Sequence, residues 1–253
     1  MSPPPFLAVD IGNSSVKAAV WDEVSPGGAL AWTRAVTLGH TEAPARLEAL
    51  AWAGLKTGVA SVVPVLTASV ADALQRATGR TPTVVSARLP LPFAMAYATP
   101  ETLGPDRLAA AVAAWHLGGG RPVVALDAGT ALTLDAVDVR DGRPVYLGGA
   151  IAPGPALMVA ALATGTAALP DVALGREAPP IGTSTREAIQ AGVEGLFAGG
   201  ALHLLRTTSE ALSAPPVVVA TGGLGPWLYH HGLPIDVLTP TLVLDGVRLL
   251  SGG

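Results

Sequence analysis

The 253-residue chain contains no cysteine, and this absence excludes disulfides, thiolate zinc sites, iron–sulfur clusters and cysteine nucleophiles. Charge is also sparse, since 13% of the residues are Asp, Glu, Lys or Arg, whereas proteins average about 25%. Half of the chain is hydrophobic, which excludes disorder and suits one compact unit or two modest domains. The net charge of −4 gives no electrostatic signature for DNA or RNA, so we expect no nucleic-acid partner.

Lysine is scarce as well, with only Lys17 and Lys56 among the 15 basic residues. A Walker A loop ends in Gly-Lys-Ser/Thr, and neither lysine follows a glycine, so a P-loop nucleotidase is excluded. No Gly-x-Gly-x-x-Gly opens a helix after a strand, which argues against a Rossmann dinucleotide site. The sequence also lacks His-Glu-x-x-His and Gly-x-Ser-x-Gly, which excludes zincins and nucleophile elbows.

Long hydrophobic runs are missing too. The charge-free apolar stretch Leu108 to Gly120 has about a dozen residues and ends in three glycines, whereas a bilayer helix needs about 20. The N-terminal stretch Met1 to Phe6 is rich in proline and has no basic region or long apolar run, so it does not resemble a secretory signal. We therefore expect no membrane association and a cytoplasmic protein.

The hydrophobic pattern repeats along the chain. Asp10-Ile11-Gly12-Asn13-Ser14 matches Asp127-Ala128-Gly129-Thr130-Ala131 at an offset of 127 − 10 = 117 residues. Each segment follows an apolar strand and leads into a hairpin, and the second copy comes after Gly118-Gly119-Gly120. This repeat predicts two duplicated α/β domains, residues 1–118 and 119–253, that face a shared cleft.

Local patterns predict the elements of each half. The predicted strands are Phe6–Asp10, Ser15–Trp21, Ala29–Leu38, Gly58–Val63, Thr83–Ser86, Pro122–Leu126, Leu132–Val139, Pro144–Leu147 and Pro216–Ala220. The predicted helices are Ala43–Ala53, Pro64–Thr78, Gly104–Leu117, Gly154–Thr164, Thr185–Thr207, a short helix after Gly223, and Leu242–Leu250. The segment Arg88 to Pro100, with three prolines, is expected to be irregular.

The first repeated segment has the ingredients of a phosphate site without a P-loop. A tight hairpin can hold an anion through converging backbone N–H groups, with glycine allowing close approach. Asp10 would handle the Mg²⁺ that accompanies ATP, through water, and Lys17 would lie near the phosphates. The alternative is a plain hairpin closed by an Asx turn. The second copy favours the phosphate site, because facing pairs of such hairpins are used by the actin, heat-shock-70 and sugar-kinase superfamily.

A second informative segment runs from Tyr97 to Arg107. Asp106 falls in the first turn of a predicted helix, where the macrodipole favours the ionised carboxylate. Such a carboxylate at a cleft can accept a proton from a substrate hydroxyl, and Arg107 can grip a substrate carboxylate. The alternative is an ordinary N-terminal helix charge beside a solvated arginine. Two further Gly-rich segments, Leu147–Gly154 and Ala220–Gly223, could contact a ligand or be simple turns.

Taken in order, these segments resemble type III pantothenate kinases over essentially the full chain. The matching motifs are Asp10-x-Gly12-Asn13-Ser14, Ala60-Ser61-Val62-Val63-Pro64, Tyr97, Gly104-x-Asp106-Arg107, Asp127-x-Gly129-Thr130-Ala131, Gly148-Gly149-x-Ile151-x-Pro153-Gly154 and Thr221-Gly222-Gly223. The resemblance implies an α/β fold of two duplicated ribonuclease H-like, actin-like ATPase domains around a central cleft. It also implies a homodimer that phosphorylates pantothenate with ATP, the first step of coenzyme A synthesis.

The resemblance further implies a role for each matching residue. Asp106 would be the general base, and Asp127 would help bind a monovalent cation, K⁺ or NH₄⁺. Thr185 would reach pantothenate from the partner subunit. The expected ATP-binding residues are Asp10, Ile11, Gly12, Asn13, Ser14, Ser15, Val16, Lys17 and Thr130. The expected pantothenate-binding residues are Tyr97, Gly104, Pro105, Asp106, Arg107 and Thr185, with Arg107 on the carboxylate.

The sequence departs from the family pattern at a few positions. Ser14 replaces the usual threonine but keeps the hydroxyl, Pro105 suits a helix start, and Ser184 replaces an asparagine next to Thr185. Two other functions stay open. One is another kinase or phosphatase of the same superfamily, against which Tyr97 and the Gly104–Arg107 motif argue. The other is a non-catalytic relative acting as an accessory transcription regulator, against which the three intact aspartates argue.

Overall fold

The computed structural model describes residues 5–23, 30–174 and 179–252. Two sheets dominate the fold. The first sheet contains β1 (Phe6–Ile11), β2 (Val16–Glu23), β3 (Leu30–Leu38), β4 (Lys56–Ser61) and β5 (Thr83–Val84), in the order β3-β2-β1-β4-β5. β1 pairs antiparallel with β2 and parallel with β4. The helices α1 (Ala43–Leu50) and α2 (Pro64–Thr78) connect these strands, and Ala29 of the predicted third strand lies outside the described residues.

The second sheet has the same plan. It contains β6 (Ala94–Met95), β7 (Val123–Ala128), β8 (Ala131–Arg140), β9 (Arg143–Pro153), β10 (Val217–Thr221) and β11 (Val237–Leu238). Its order is β11-β10-β7-β8-β9-β6. Apart from β6, an antiparallel three-strand meander is again followed by a parallel strand beside its first strand. The duplicated α/β architecture predicted from the 117-residue repeat is therefore confirmed.

Helices fill the space between and around the sheets. They are α3 (Pro105–Gly118), α4 (Pro155–Gly165), α5 (Thr185–Glu210), α6 (Gly225–His230) and α7 (Leu242–Leu250), with a 3-10 turn at Pro100–Thr102. α3 packs on β7 and on α7, while α7 packs on β1. The crossing of α3 and α7 is close, because a Cβ at Gly246 would overlap the backbone of Ala109. The alanines of α3 are the small residues that such close packing requires.

Three details differ from the sequence prediction. β9 continues to Pro153 instead of ending near Leu147, and it does so with a register irregularity opposite Ala136 and Val137. Gly148, at φ 110°, adopts a left-handed conformation there that few side chains tolerate. The short strands β6 and β11 were also missed. They pair over two residues each, a length at which periodicity carries no signal.

β6 belongs to residues 1–118 yet pairs with β9, and α7 belongs to residues 119–253 yet packs on β1. The division of the chain at residue 118 stays a prediction.

Within the part of the chain that the structure describes, one helix, α5, is long and apolar enough by length and composition to cross a membrane. The sequence pattern predicted this helix but did not mark it as a candidate span, because charged residues interrupt its apolar residues. Five side chains spaced four residues apart face inward, and they pack on the core of the second sheet or against α4: Ile189, Val193, Phe197, Ala201 and Leu205. This spacing marks one face of a helix packed on a protein core.

Candidate active site

The turns of the two repeated hairpins meet at a single point. Ser14 follows β1 in the first half and Thr130 follows β7 in the second, and their hydroxyl oxygens lie 2.8 Å apart. Both residues line a cavity of about 170 Å³ between the sheets. The sequence repeat thus places two equivalent turns on opposite sides of one cleft, as predicted.

The first turn is held by hydrogen bonds on both sides. The Gly12 N–H donates to the Ser15 carbonyl at 3.0 Å, which closes the hairpin. On its outer side, His40 Nε2 donates to the Gly12 carbonyl at 2.9 Å. His40 lies in the turn between β3 and α1, so a third segment fixes the shape of the hairpin. Sequence analysis did not single out this histidine, because only the fold brings it near Gly12.

Within this turn, not every predicted ATP-binding residue can use its side chain. Asn13 and Ser14 are exposed towards the cavity, whereas Ile11 and Val16 are fully buried in the core under the hairpin. Ile11 and Val16 could therefore contact a nucleotide only through backbone atoms. Their side chains anchor the two strands that carry the turn.

Three aspartates converge on the cavity. Asp10 ends β1, Asp106 lies in the first turn of α3, and Asp127 lies near the end of β7. Burial, reinforced by the charge of Asp106, raises the pKa of Asp10 from 3.8 to about 7, although Lys17 opposes the shift. Burial likewise raises the pKa of Asp127 to about 6, again opposed by Lys17. The repulsion among these carboxylates makes the cavity favourable for a cation.

Lys17 stands on β2 directly opposite Asp10 in the strand pairing. Its ammonium group lies close enough to lower the pKa of both Asp10 and Asp127. Lysine binds phosphate as a point charge, and here it borders the same cavity as the two hairpin turns.

The donor set suits a magnesium ion held partly through water. Asp10 Oδ1 is inaccessible to solvent and has no hydrogen-bond partner, so it is an acceptor available for a hydrated cation. Across residues 5–23, 30–174 and 179–252, no group of three or more His, Cys, Asp or Glu side chains could hold a metal alone. A nucleotide-borne Mg²⁺, which keeps several waters and phosphate ligands, fits this arrangement better than a dedicated protein cage.

Asp106 is positioned by the start of α3. Gly104 is the N-cap residue and Pro105 the first helical residue, where its missing N–H is tolerated. Asp106 Oδ1 accepts a hydrogen bond from the Arg107 N–H at 2.8 Å, which holds the carboxylate at the helix N-terminus. The predicted placement of Asp106 at a helix start beside the cleft is therefore present in the fold.

Arg107 borders the cavity but is mostly buried and already paired. Its Nη2 donates to Asp135 Oδ1 at 2.7 Å and its Nε to Asp135 Oδ2 at 3.2 Å. The Tyr146 hydroxyl donates to the same Asp135 carboxylate at 2.5 Å. Burial alone would lower the pKa of Arg107, but the Asp135 carboxylate outweighs it and raises that pKa. The guanidinium has five N–H donors, so a substrate carboxylate would have to use donors that Asp135 leaves over.

One Gly-rich segment supports the second hairpin turn, and the other lines the cavity. The Gly154 N–H donates to the Thr130 carbonyl at 3.0 Å, so the end of β9 supports the second hairpin turn. Gly222 has φ 87°, and a Cβ there would overlap Asp127 Oδ1 and the Ala128 carbonyl oxygen. Gly222 and Gly223 line the cavity directly. Both segments lie at the site instead of serving as remote turns.

Six predicted site residues do not line the cavity: Ile11, Val16, Tyr97, Gly104, Pro105 and Thr185. Tyr97 is half-buried and packs edge-on against Tyr146, with ring centroids 6.0 Å apart. Thr185 is exposed at the first position of α5. Ser184 caps that helix by accepting from the Glu187 N–H at 3.3 Å, so the family-atypical serine still anchors the turn. Neither Tyr97 nor Thr185 reaches the cleft of this single chain.

Two sheets that share a strand order apart from β6, with a turn from each at one cleft, form the fold of actin-like ATPases and sugar kinases. The fold of a glucokinase from an Antarctic psychrotroph matches at a TM-score of 0.53 and 11% identity, covering 100% of both chains. Within this class, the family model described as type III pantothenate kinase matches residues 6–206. The chain therefore belongs to the type III pantothenate kinase family.

Individual relatives agree with that assignment. The chain is 33% identical over 260 residues to the type III pantothenate kinase of Gluconobacter oxydans, covering 97% of this chain and 92% of that one. It is 35% identical over 267 residues to type III pantothenate kinase 1 of Symbiobacterium thermophilum, covering 97% and 95%. Membership in this family makes the protein a kinase, and a kinase of this superfamily uses ATP with a divalent metal.

Proposed function

We propose that the protein transfers the γ-phosphoryl group of ATP to the primary hydroxyl of pantothenate, giving 4'-phosphopantothenate for coenzyme A synthesis. The observation that carries this proposal is the convergence of both hairpin turns, Asp10, Asp106 and Asp127 on one cavity. Phosphoryl transfer depends mainly on positioned phosphates, charge stabilisation and a base near the acceptor hydroxyl. Each requirement has a candidate among these residues.

On the nucleotide side, the backbone of Gly12 to Ser15 and the Thr130 hydroxyl would cradle the phosphates, with Lys17 supplying positive charge. Asp10 would hold the hydrated Mg²⁺ of the nucleotide through its unpartnered Oδ1. That ion would neutralise charge on the phosphate oxygens when bound. The close contact of Ser14 with Thr130 means that a phosphate entering between the turns would contact both halves of the molecule.

On the acceptor side, Asp106 would take the proton from the pantothenate hydroxyl. The hydroxyl oxygen would bond to the γ-phosphorus as the bond between that phosphorus and ADP breaks. Asp106 lies in the first turn of α3, where its carboxylate borders the cavity. Arg107 would bind the pantothenate carboxylate with the donors not used by Asp135, next to Tyr97 and the backbone of Gly104 and Pro105.

The expected monovalent cation, K⁺ or NH₄⁺, would bind beside Asp127. The buried carboxylate of Asp127 borders the cavity, and the Gly222 backbone approaches its Oδ1 so closely that a Cβ there would overlap it. A single negative charge flanked by backbone carbonyls suits a large monovalent ion better than a strongly hydrated divalent one. Asp127 would ionise fully when such a cation is bound.

A homodimer would bring Thr185 to a neighbouring active site. The exposed side chains near this helix include Leu157 on α4 and Leu196 and Leu202 on α5, which are 44%, 71% and 47% exposed. Apolar residues of this exposure on adjacent helices are typical of a surface that another subunit covers. A cytoplasmic location remains our expectation for an enzyme that uses ATP and pantothenate.

The proposed function is tested by assaying the purified chain with ATP, Mg²⁺ and pantothenate, coupling ADP release and identifying the product by mass spectrometry. We expect pantothenate-dependent turnover in the presence of K⁺ or NH₄⁺ and much less with Na⁺ alone. Glucose serves as the control acceptor for another kinase of the superfamily. Turnover with glucose but not pantothenate, or no turnover at all, would refute the proposed function.

A further inference from the structure

A buried polar cluster lies directly behind the proposed pantothenate site. It consists of Arg107 from α3, Asp135 from β8 and Tyr146 from β9. Asp135 is 1% exposed and Tyr146 is fully buried. Neither side chain lines the cavity, so neither can touch substrate, and sequence analysis singled out neither of them.

The cluster joins the residues expected to bind pantothenate. Asp135 grips the guanidinium of Arg107 with both oxygens, which fixes its plane as well as its distance. Tyr146 donates to Asp135, lies 3.5 Å from Arg107 Nη2, and packs edge-on against Tyr97. Arg107 therefore contacts both buried side chains, and Tyr97 packs on one of them, Tyr146.

Strand geometry connects this cluster to the rest of the site. β8 begins at Ala131, next to the second hairpin turn, and carries Asp135 four residues further on, so both side chains face the same side of the sheet. Asp106 precedes Arg107 and accepts a hydrogen bond from its backbone N–H, so the proposed base and the paired arginine share one helical turn. The cluster therefore adjoins the acceptor side of the site.

We propose that Asp135 and Tyr146 are positioning residues for the acceptor substrate: they clamp Arg107 and Tyr97 in the orientation that binds pantothenate and aligns Asp106. This inference rests on the proposed function. Asp135 also balances the positive charge of the guanidinium. A substrate carboxylate would therefore be bound mainly by hydrogen bonds from the remaining N–H donors, which are held at fixed positions, and less by electrostatic attraction. Orientation, and not charge alone, then selects the acceptor.

Asp135→Asn tests the clamp, because an amide N–H₂ facing the guanidinium removes the two-oxygen grip at nearly constant volume. We expect the KM for pantothenate to rise and kcat to fall, each about tenfold or more, since small misplacements of binding groups are costly. The KM for ATP should stay within about twofold, because the phosphate hairpins do not contact the cluster. Tyr146→Phe keeps the ring packing and should raise only the KM for pantothenate, by a smaller factor.

Asp138→Asn is the matched control. Asp138 is a buried carboxylate on the same strand, but it bonds to Ser213 and Arg140, away from the cavity. The Asp138→Asn substitution should reduce thermal stability while leaving the KM for pantothenate and the KM for ATP unchanged. A purely structural role for Asp135 predicts the same outcome for Asp135→Asn, and that result would overturn the proposal. If Asp135→Asn does not fold, an unchanged KM for pantothenate in Tyr146→Phe would overturn it equally.

A spectroscopic measurement separates this proposal from the proposed function. In ¹⁵N-labelled protein the Arg107 Nε–H, assigned by its loss in Arg107→Lys, should exchange slowly with solvent and become fast-exchanging in Asp135→Asn. Fast exchange in the wild-type chain would refute the clamp even if the enzyme is active. Absence of pantothenate turnover in the wild-type chain would instead refute the proposed function, and with it the assignment of the clamp to that substrate.

Discussion

At the residue scale, the site brings together several of the few acidic residues in the chain. The chain has 19 acidic residues, and three of them border one cavity where burial raises the pKa of two. Carboxylates in a cleft with perturbed pKa values are typical of functional sites. The three aspartates differ in their surroundings, so substitutions should separate their roles.

Asp106→Asn should reduce kcat by about 100-fold or more while nucleotide binding persists, because the amide cannot accept the hydroxyl proton. Turnover is measured in the coupled assay and nucleotide binding by calorimetry. Asp141→Asn, in the exposed hairpin between β8 and β9, is the control and should leave both unchanged. Full activity of Asp106→Asn would remove Asp106 from the role of base.

Asp10→Asn should stabilise the ligand-free protein at pH 8. The folded-state pKa of Asp10 is raised to about 7, so the native chain holds a proton that the unfolded chain releases near pH 4. The stability contributed by this proton is present below about pH 4 and is lost as the pH rises through 7. We expect the substitution to raise the free energy of unfolding by on the order of 1 kcal/mol at pH 8. The gain is smaller than the full pKa shift implies, because part of the side chain reaches solvent.

Urea unfolding at pH 4 and pH 8 measures this gain, which should vanish at the lower pH. The control has the opposite sign. Burial raises the pKa of Asp138, but hydrogen bonds from the Ser213 side chain and backbone outweigh it and hold that pKa below its usual value. Asp138→Asn should therefore destabilise the protein at pH 8. A pH-independent effect of Asp10→Asn would contradict the proposed desolvation of Asp10.

At the element scale, the site is built from strand ends and the turns that follow them. β1 and β7 each end in an aspartate and a turn, while α3 and the turn after β10 close the cavity. Backbone approaches at these turns are close, and glycine is required where a side chain would enter the neighbouring strand. Gly222 is the clearest case.

Gly222→Ala should destabilise the protein by more than about 1–2 kcal/mol, the usual cost of a left-handed alanine, because its Cβ also overlaps Asp127 and Ala128. Displacement of Asp127 should lower turnover as well. Gly232→Ala is the matched control, since Gly232 has φ 85° with open space around its Cβ position. Urea unfolding compares the two variants, and equal losses would show that the contact with Asp127 contributes nothing.

At the scale of the whole molecule, two duplicated halves meet at one cleft and their central helices pack on each other. The outer surface of α4 and α5 remains apolar in places. Because Thr185 starts α5 and does not reach the cleft of its own chain, the proposed substrate role of Thr185 depends on assembly with a second copy. Oligomerisation and catalysis should therefore be linked.

Leu196→Glu should convert the proposed dimer to monomers and reduce turnover, because Leu196 is 71% exposed on α5 and a buried carboxylate would be unfavourable at an interface. Size-exclusion chromatography with light scattering measures the mass. Val65→Glu, at an 88% exposed position on α2, controls for added surface charge and should change neither property. A monomeric wild-type chain with full activity would exclude the proposed dimer.

Most of the fold could be predicted from the sequence, because strand and helix periodicity, prolines at helix starts and the repeated Asp-x-Gly segments are local patterns. These patterns also placed Asp10, Asp106 and Asp127 at element ends before their convergence on one cavity was known. What they could not reveal was contact between distant strands: the two-residue pairing of β6, the bond from His40 to Gly12, and the buried group around Arg107.

The physical reason is the range of the interactions. Backbone preference and hydrophobic period act over a few residues, so the sequence by itself determined most of the elements, the duplication, and the positions of Asp10, Asp106 and Asp127 near element ends. Burial, ion pairing and orientation depend on atoms far apart in the chain. Only the tertiary structure decided that Arg107 is held by Asp135 and Tyr146, that Asp10 keeps an unpartnered oxygen, and that the few charges of this apolar chain share one cleft.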